Sequence, residues 1–138
     1  MGTRADFYIG IREPEWIGSM YQDGHPWNIA CKVLIQVNKV MFEETVCEFL
    51  KMKNGVIPSE GAAHKWPWPW PDSQMTDYSY FFSKAYGKVY AYSMKEKMMF
   101  DPLRIMQGDD LVSSRVMISP KFPKMGADIY GPETKNPL

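Results

Sequence analysis

The sequence is short of several things that would narrow its function at once. Only two cysteines, Cys31 and Cys47, occur among 138 residues. They stand 16 positions apart with no Cys-x-x-Cys and no flanking histidine pair, so a four-ligand zinc site fails on ligand count, and two free thiols are expected. No apolar run approaches the roughly 20 residues that a membrane-spanning helix requires. The start, Met1-Gly2-Thr3-Arg4-Ala5-Asp6, lacks the apolar core and small-residue cleavage site of a signal peptide, so action in a cytoplasm is expected. Excess charge is missing too: 16 basic and 16 acidic side chains cancel, and nothing in the balance points to general nucleic-acid binding or to an anionic membrane. Gly-x-Ser-x-Gly, the phosphate-binding glycine loop and His-Glu-x-x-His are absent.

What is present suits one compact core. With 45% hydrophobic and 14% aromatic residues, a chain of this length is expected to form a single domain over 1–138, about two-thirds of its surface buried. Asp6-Phe7-Tyr8-Ile9-Gly10-Ile11 and Glu15-Trp16-Ile17-Gly18-Ser19-Met20-Tyr21 flank an Arg12-Glu13-Pro14 break and predict an antiparallel hairpin. Strict alternation along the second run puts Trp16, Gly18 and Met20 on one face and Ile17, Ser19 and Tyr21 on the other.

From Asn28 the period changes. Ala30, Val33, Leu34 and Val37 fall at helical spacing and predict a helix over 29–37. Asn38 is a good N-cap for a second helix over 40–53, with Val37 and Phe42 placed for a hydrophobic staple. Phe42, Val46, Phe49 and Leu50 form its apolar stripe, and Asn54-Gly55 closes it. Residues 55–77, rich in proline and glycine, read as a long loop. Tyr78 to Phe82 and Lys88 to Ser93 around Gly87 predict a second hairpin, with Val89 and Ala91 facing one way and Tyr90 and Tyr92 the other. Met98-Met99-Phe100 and Val116-Met117-Ile118 are weaker strand signals. The chain from about 120, with Pro120, Pro123, Pro132 and Pro137, is expected to be an irregular tail. The order predicts an α+β two-layer domain, with two helices on one face of a mainly antiparallel sheet of four to five strands.

The conspicuous motif is Trp66-Pro67-Trp68-Pro69-Trp70-Pro71. Each tryptophan precedes a proline and is pushed toward extended dihedrals. A β period aligns the three indoles on one face and leaves a protected edge strand, whereas a polyproline helix fans them apart. Two uses are open: the indoles seal the end of the core, or they form a binding surface with Asp72, Asp77 and Tyr78. Asp6, Asp72, Asp77 and Asp101 raise the question of a divalent ion, but Asp72 and Asp77 are better read as turn and cap residues, and no metal, cofactor or catalytic residue is assigned.

Arg4 to Tyr8, Glu15 to Ser19, Trp66 to Ser73, Thr76-Asp77-Tyr78, Phe100-Asp101-Pro102 and Phe122 to Met125 together resemble a group of small uncharacterised proteins of tailed bacteriophages and prophages. The resemblance spans most of the chain, lapsing from Gly24 to Asn28 and from Leu103 to Ser119. It implies a phage origin and no particular activity. On that footing the expectation is a non-enzymatic protein in the host cytoplasm that binds a host factor, inhibition of a host defence system being one case. A virion-associated or assembly component and a small metal-dependent hydrolase are the alternatives.

Overall fold

The computed structural model describes residues 2–58 and 65–125. Part of the 55–77 loop and the end of the proline-rich tail therefore lie outside the described residues. The sheet contains β1 (Ala5–Ile9), β2 (Glu15–Met20), β3 (Tyr78–Ser83), β4 (Lys88–Ser93), β5 (Met98–Phe100) and β6 (Arg115–Val116), in the spatial order β2-β1-β3-β4-β5-β6. Neighbours pair antiparallel except β1 and β3, which run parallel from Ala5 opposite Tyr78 to Ile9 opposite Phe82. Six strands replace the expected four to five, because the weak signals at Met98 and Val116 both extend the sheet.

The helical layer also departs from expectation. α2 (Lys39–Met52) is substantial, but the predicted helix over 29–37 reduces to one turn, α1 (Cys31–Leu34), preceded by a 3-10 turn at Pro26–Asn28. No side chain caps α1, and Asn38 is extended (φ −128°, ψ 132°) so that it can start α2, which leaves no room for a longer first helix. The Asn38 side chain accepts from Val40 N–H and Met41 N–H at 2.8 and 3.1 Å. The expected staple does not close, because Val37 is 74% exposed while Phe42 is buried against Phe82. At the other end Asn54 takes the left-handed conformation (φ 55°) and Gly55 N–H reaches back to Leu50 C=O at 2.8 Å, a Schellman closure. α3 (Pro102–Met106) is a short turn capped by Asp101.

One face of the sheet carries Ala5, Phe7, Ile9, Tyr80, Phe82, Val89 and Ala91, which pack with Phe42, Val46, Phe49 and Leu50 of α2. β2 joins this face through a bulge: Phe7 pairs with Gly18 but Tyr8 pairs with Trp16, so Ile17 is the extra residue. The bulge corrects the alternation expected for β2. Ile17 and Met20 both enter the helix-side core, whereas Trp16 and Ser19 turn to the opposite face. Gly18 (φ 154°) allows the close approach, since a Cβ there meets Leu50 Cδ1 at 2.3 Å and Val56 O at 2.8 Å. The outer edge of β2 is covered by Val56, which exchanges two backbone hydrogen bonds with Ser19. The second face, with Tyr8, Phe81, Tyr90 and Met99, is roofed by irregular chain: the Trp-Pro loop at one end and residues 117–122 at the other.

Candidate functional site

Asp6 lies in an otherwise apolar strand, on the loop-covered face, with no solvent exposure. Its Oδ1 accepts from Ser19 Oγ at 2.5 Å and from Trp68 Nε1 at 2.7 Å, and its Oδ2 accepts from Ser73 Oγ at 2.6 Å. The donors are themselves supplied in series. Trp16 Nε1 donates to Ser19 Oγ at 2.9 Å, and the Tyr8 hydroxyl lies 2.6 Å from Ser73 Oγ, to which it donates once Ser73 gives its own proton to Asp6. Burial pushes the Asp6 carboxyl above its ordinary value, against the opposing pull of Ser19, Ser73, Trp68 and Thr76. The Tyr8 hydroxyl is also driven well up, first by burial and then by the nearby Asp6 charge. Tyr8 therefore serves as a neutral donor.

This carboxylate organises the Trp-Pro segment. Residues 66–70 form no strand, so of the two extended alternatives the protected edge strand is not the one adopted. The segment instead crosses the sheet face with each indole N–H satisfied: Trp66 Nε1 to Trp70 O at 2.7 Å, Trp68 Nε1 to Asp6, and Trp70 Nε1 to Thr76 Oγ1 at 3.0 Å. Trp66 and Trp68 are each 6% exposed, and Trp70 is half-buried. Trp66 meets Trp16 edge to face, and Trp68 stacks on Trp70 with centroids 5.6 Å apart.

Asp72 caps the 3-10 turn Ser73–Met75 by accepting from Gln74 N–H at 2.9 Å. Asp77 accepts from Arg4 N–H at 2.8 Å and from Arg4 Nε at 3.4 Å. That pair sets the Arg4 guanidinium 5.1 Å from the Trp70 centroid. Tyr78 stands apart from this group: it faces the helix side, against His25 and Phe100. Asp101 caps α3 and pairs with Lys88 at 3.1 Å. The four aspartates thus have separate partners, and among the described residues no three of His, Cys, Asp or Glu converge as metal ligands. Cys31 and Cys47 are free thiols.

Sequence reasoning gave Asp6, Ser73 and Thr76 no place in the site and passed over Arg4 and Tyr21. Tyr21 is 49% exposed and meets Trp68 edge to face at 5.5 Å. The available signal was an aspartate at an inward position of a strand whose other residues are apolar. Comparisons with protein-family models, with curated proteins and with solved structures find no match.

Proposed function

We propose that this is a phage-encoded binding protein without catalytic chemistry, which engages a host factor in the host cytoplasm through Tyr21, Trp70 and Arg4. The supporting observation is an aromatic shelf with a fixed base. Trp68 is locked by its bond to Asp6, while Tyr21 and Trp70 pack on it and remain partly open to solvent. Tryptophan, tyrosine and arginine are the residue types that dominate interface energetics. Holding them in place before binding reduces the side-chain ordering cost of association. Asp6 has both oxygens engaged by buried donors, which favours a scaffolding role over acid–base work.

The test is affinity capture from phage-infected host lysate with the parent chain and with Tyr21→Ala/Trp70→Ala. Both rings lie outside the Asp6 bonds, so the double variant should keep its fold and lose about 2 kcal/mol or more of partner binding. A folded double variant that captures the same proteins equally well moves the contact surface elsewhere. Capture of virion proteins alone favours the assembly role.

A further inference from the structure

At the far end of the loop-covered face is a groove of about 550 Å³. It opens between the β4-β5-β6 side of the sheet and the chain from Met117 to Phe122, with Gln74 of the turn after the Trp-Pro loop also lining it. Its charge is one-sided. Among the described residues, Lys97, Arg115 and Lys121 line it and no carboxylate does.

Among the described residues, none of these three cations has a carboxylate oxygen within 4.0 Å, the limit for an ion pair. Glu96, the neighbour of Lys97 in sequence, acts on Tyr78 of the helix-side layer. Lys97 is held in the left-handed conformation (φ 55°), and its N–H closes the β4-β5 turn onto Ser93 O at 2.7 Å. Among the described residues, a chain of formal net charge zero thus brings three cations without an ion-pair partner to one cavity.

The rest of the wall is mainly methionine and aliphatic side chain, with two aromatic rings set into it. Tyr92 and Phe122 meet edge to face with centroids 5.0 Å apart, and Phe122 is braced from below by Phe81 at 6.1 Å. Both Tyr92 and Phe122 are half-buried, so the pair is positioned by the fold while keeping open ring surface. The chain carrying Phe122 is tied to the sheet by Lys121 N–H donating to Ile11 O at 3.0 Å. The volume lies within the roughly 300–1,000 Å³ usual for small-molecule sites. A bare inorganic anion leaves the rings uncovered, and an apolar ligand leaves the cations unneutralised.

We infer that this groove binds a nucleoside phosphate, with the base against Tyr92 and Phe122 and the phosphates toward Lys97, Arg115 and Lys121. Arginine and lysine supply the charge-assisted donors that phosphates accept, and a base stacks on any flat ring regardless of its identity. The same chemistry is offered by a free nucleotide and by the end of a single strand, and the experiment separates the two.

The 138-residue chain is titrated with ATP, adenosine, inorganic triphosphate, a short single-stranded oligo(dA) and an oligo-glutamate peptide. Binding is read by calorimetry and by amide chemical shifts. ATP should shift residues 97 and 115–122, and should bind about tenfold or more tightly than adenosine or triphosphate alone. Lys97→Gln/Arg115→Gln/Lys121→Gln removes surface charges only, and should weaken ATP by about tenfold or more with unchanged circular dichroism. Tighter binding of oligo(dA) at the same residues makes the single strand the source, and tighter ATP makes it the free nucleotide. No ATP-dependent shift at about 1 mM, or ATP affinity untouched by the triple variant, overturns the site. Triphosphate matching ATP, or the acidic peptide exceeding it, overturns the nucleoside class.

Discussion

Replacing Asp6 by alanine isolates the energy of the bonds that hold the Trp-Pro segment to the sheet. Three buried donors lose their acceptor: Ser19 Oγ, Trp68 Nε1 and Ser73 Oγ. A stranded buried donor costs about 1–3 kcal/mol, and the two hydroxyls can recover part of this by rotating. The Trp68 indole cannot turn away without unstacking from Trp70. The expected cost is about 3–5 kcal/mol, a large share of the 5–15 kcal/mol typical of a domain and about 10–15 °C in Tm for a chain of this size.

Asp6→Asn is the informative partner. The amide oxygen keeps the acceptor facing Ser19 and Trp68, and its NH2 group meets Ser73, whose hydroxyl reverses and donates to Tyr8. The cost should fall to about 1–2 kcal/mol. The sign of the pH effect follows from the raised carboxyl. In the folded chain Asp6 holds its proton more tightly than when unfolded, so its contribution is complete below the unfolded value of about 3.8 and is lost as pH rises through the higher folded value. Asn lacks this slope. Urea unfolding followed by tryptophan fluorescence across pH 4–7 (about the range above the unfolded carboxylate value) measures both variants. A loss below about 1 kcal/mol for Asp6→Ala refutes the reasoning, as does an Asp6→Asn chain with the parent's pH dependence.

Two further substitutions probe the helix-side layer. Gly18→Ala drives a methyl to 2.3 Å from Leu50 Cδ1 and 2.8 Å from Val56 O, and should cost about 2–3 kcal/mol by denaturant melting; a change under about 0.5 kcal/mol means that the bulge is freely deformable. Asn38→Ala removes the acceptor for Val40 and Met41 N–H and should lower stability by about 1 kcal/mol, with hydrogen exchange accelerated in the first turn of α2 and not in its last.

α2 was legible in the sequence because everything that makes it is local: the Asn38 cap, the stripe from Phe42 to Leu50, and Asn54-Gly55 at the close. The β3-β4 hairpin was legible for the same reason, through Gly87 and the alternation of Val89 and Ala91 with Tyr90 and Tyr92. The β1-β2 hairpin was legible too, but the facing of β2 was not, since one bulged residue reverses Trp16 and Ile17 relative to Ser19 and Met20, and its cause, the packing of Leu50 and Val56 on Gly18, lies elsewhere in the chain. The Trp-Pro motif was conspicuous by composition, but its anchor was hidden. Asp6 precedes Trp68 by 62 positions and Ser73 by 67, and no local pattern couples them. The expected helix over 29–37 failed through competition, because Asn38 serves α2 better extended than it serves α1 as a continuation.

The parallel pairing of β1 with β3 sets an order on assembly during synthesis. β1 is made before the other five strands of the sheet and ends up in its interior, and its partner at Tyr78–Ser83 is made more than 70 residues later. Until then the β1-β2 hairpin can form, but one edge of β1 and the ring of Phe7 have no cover from β3. Contacts of such sequence separation slow folding and prolong the exposure of an unpaired apolar edge. An N-terminal fragment that stops before Tyr78 is therefore expected to associate with itself or with chaperones, and rapid supply of the second hairpin becomes the step that sets soluble yield.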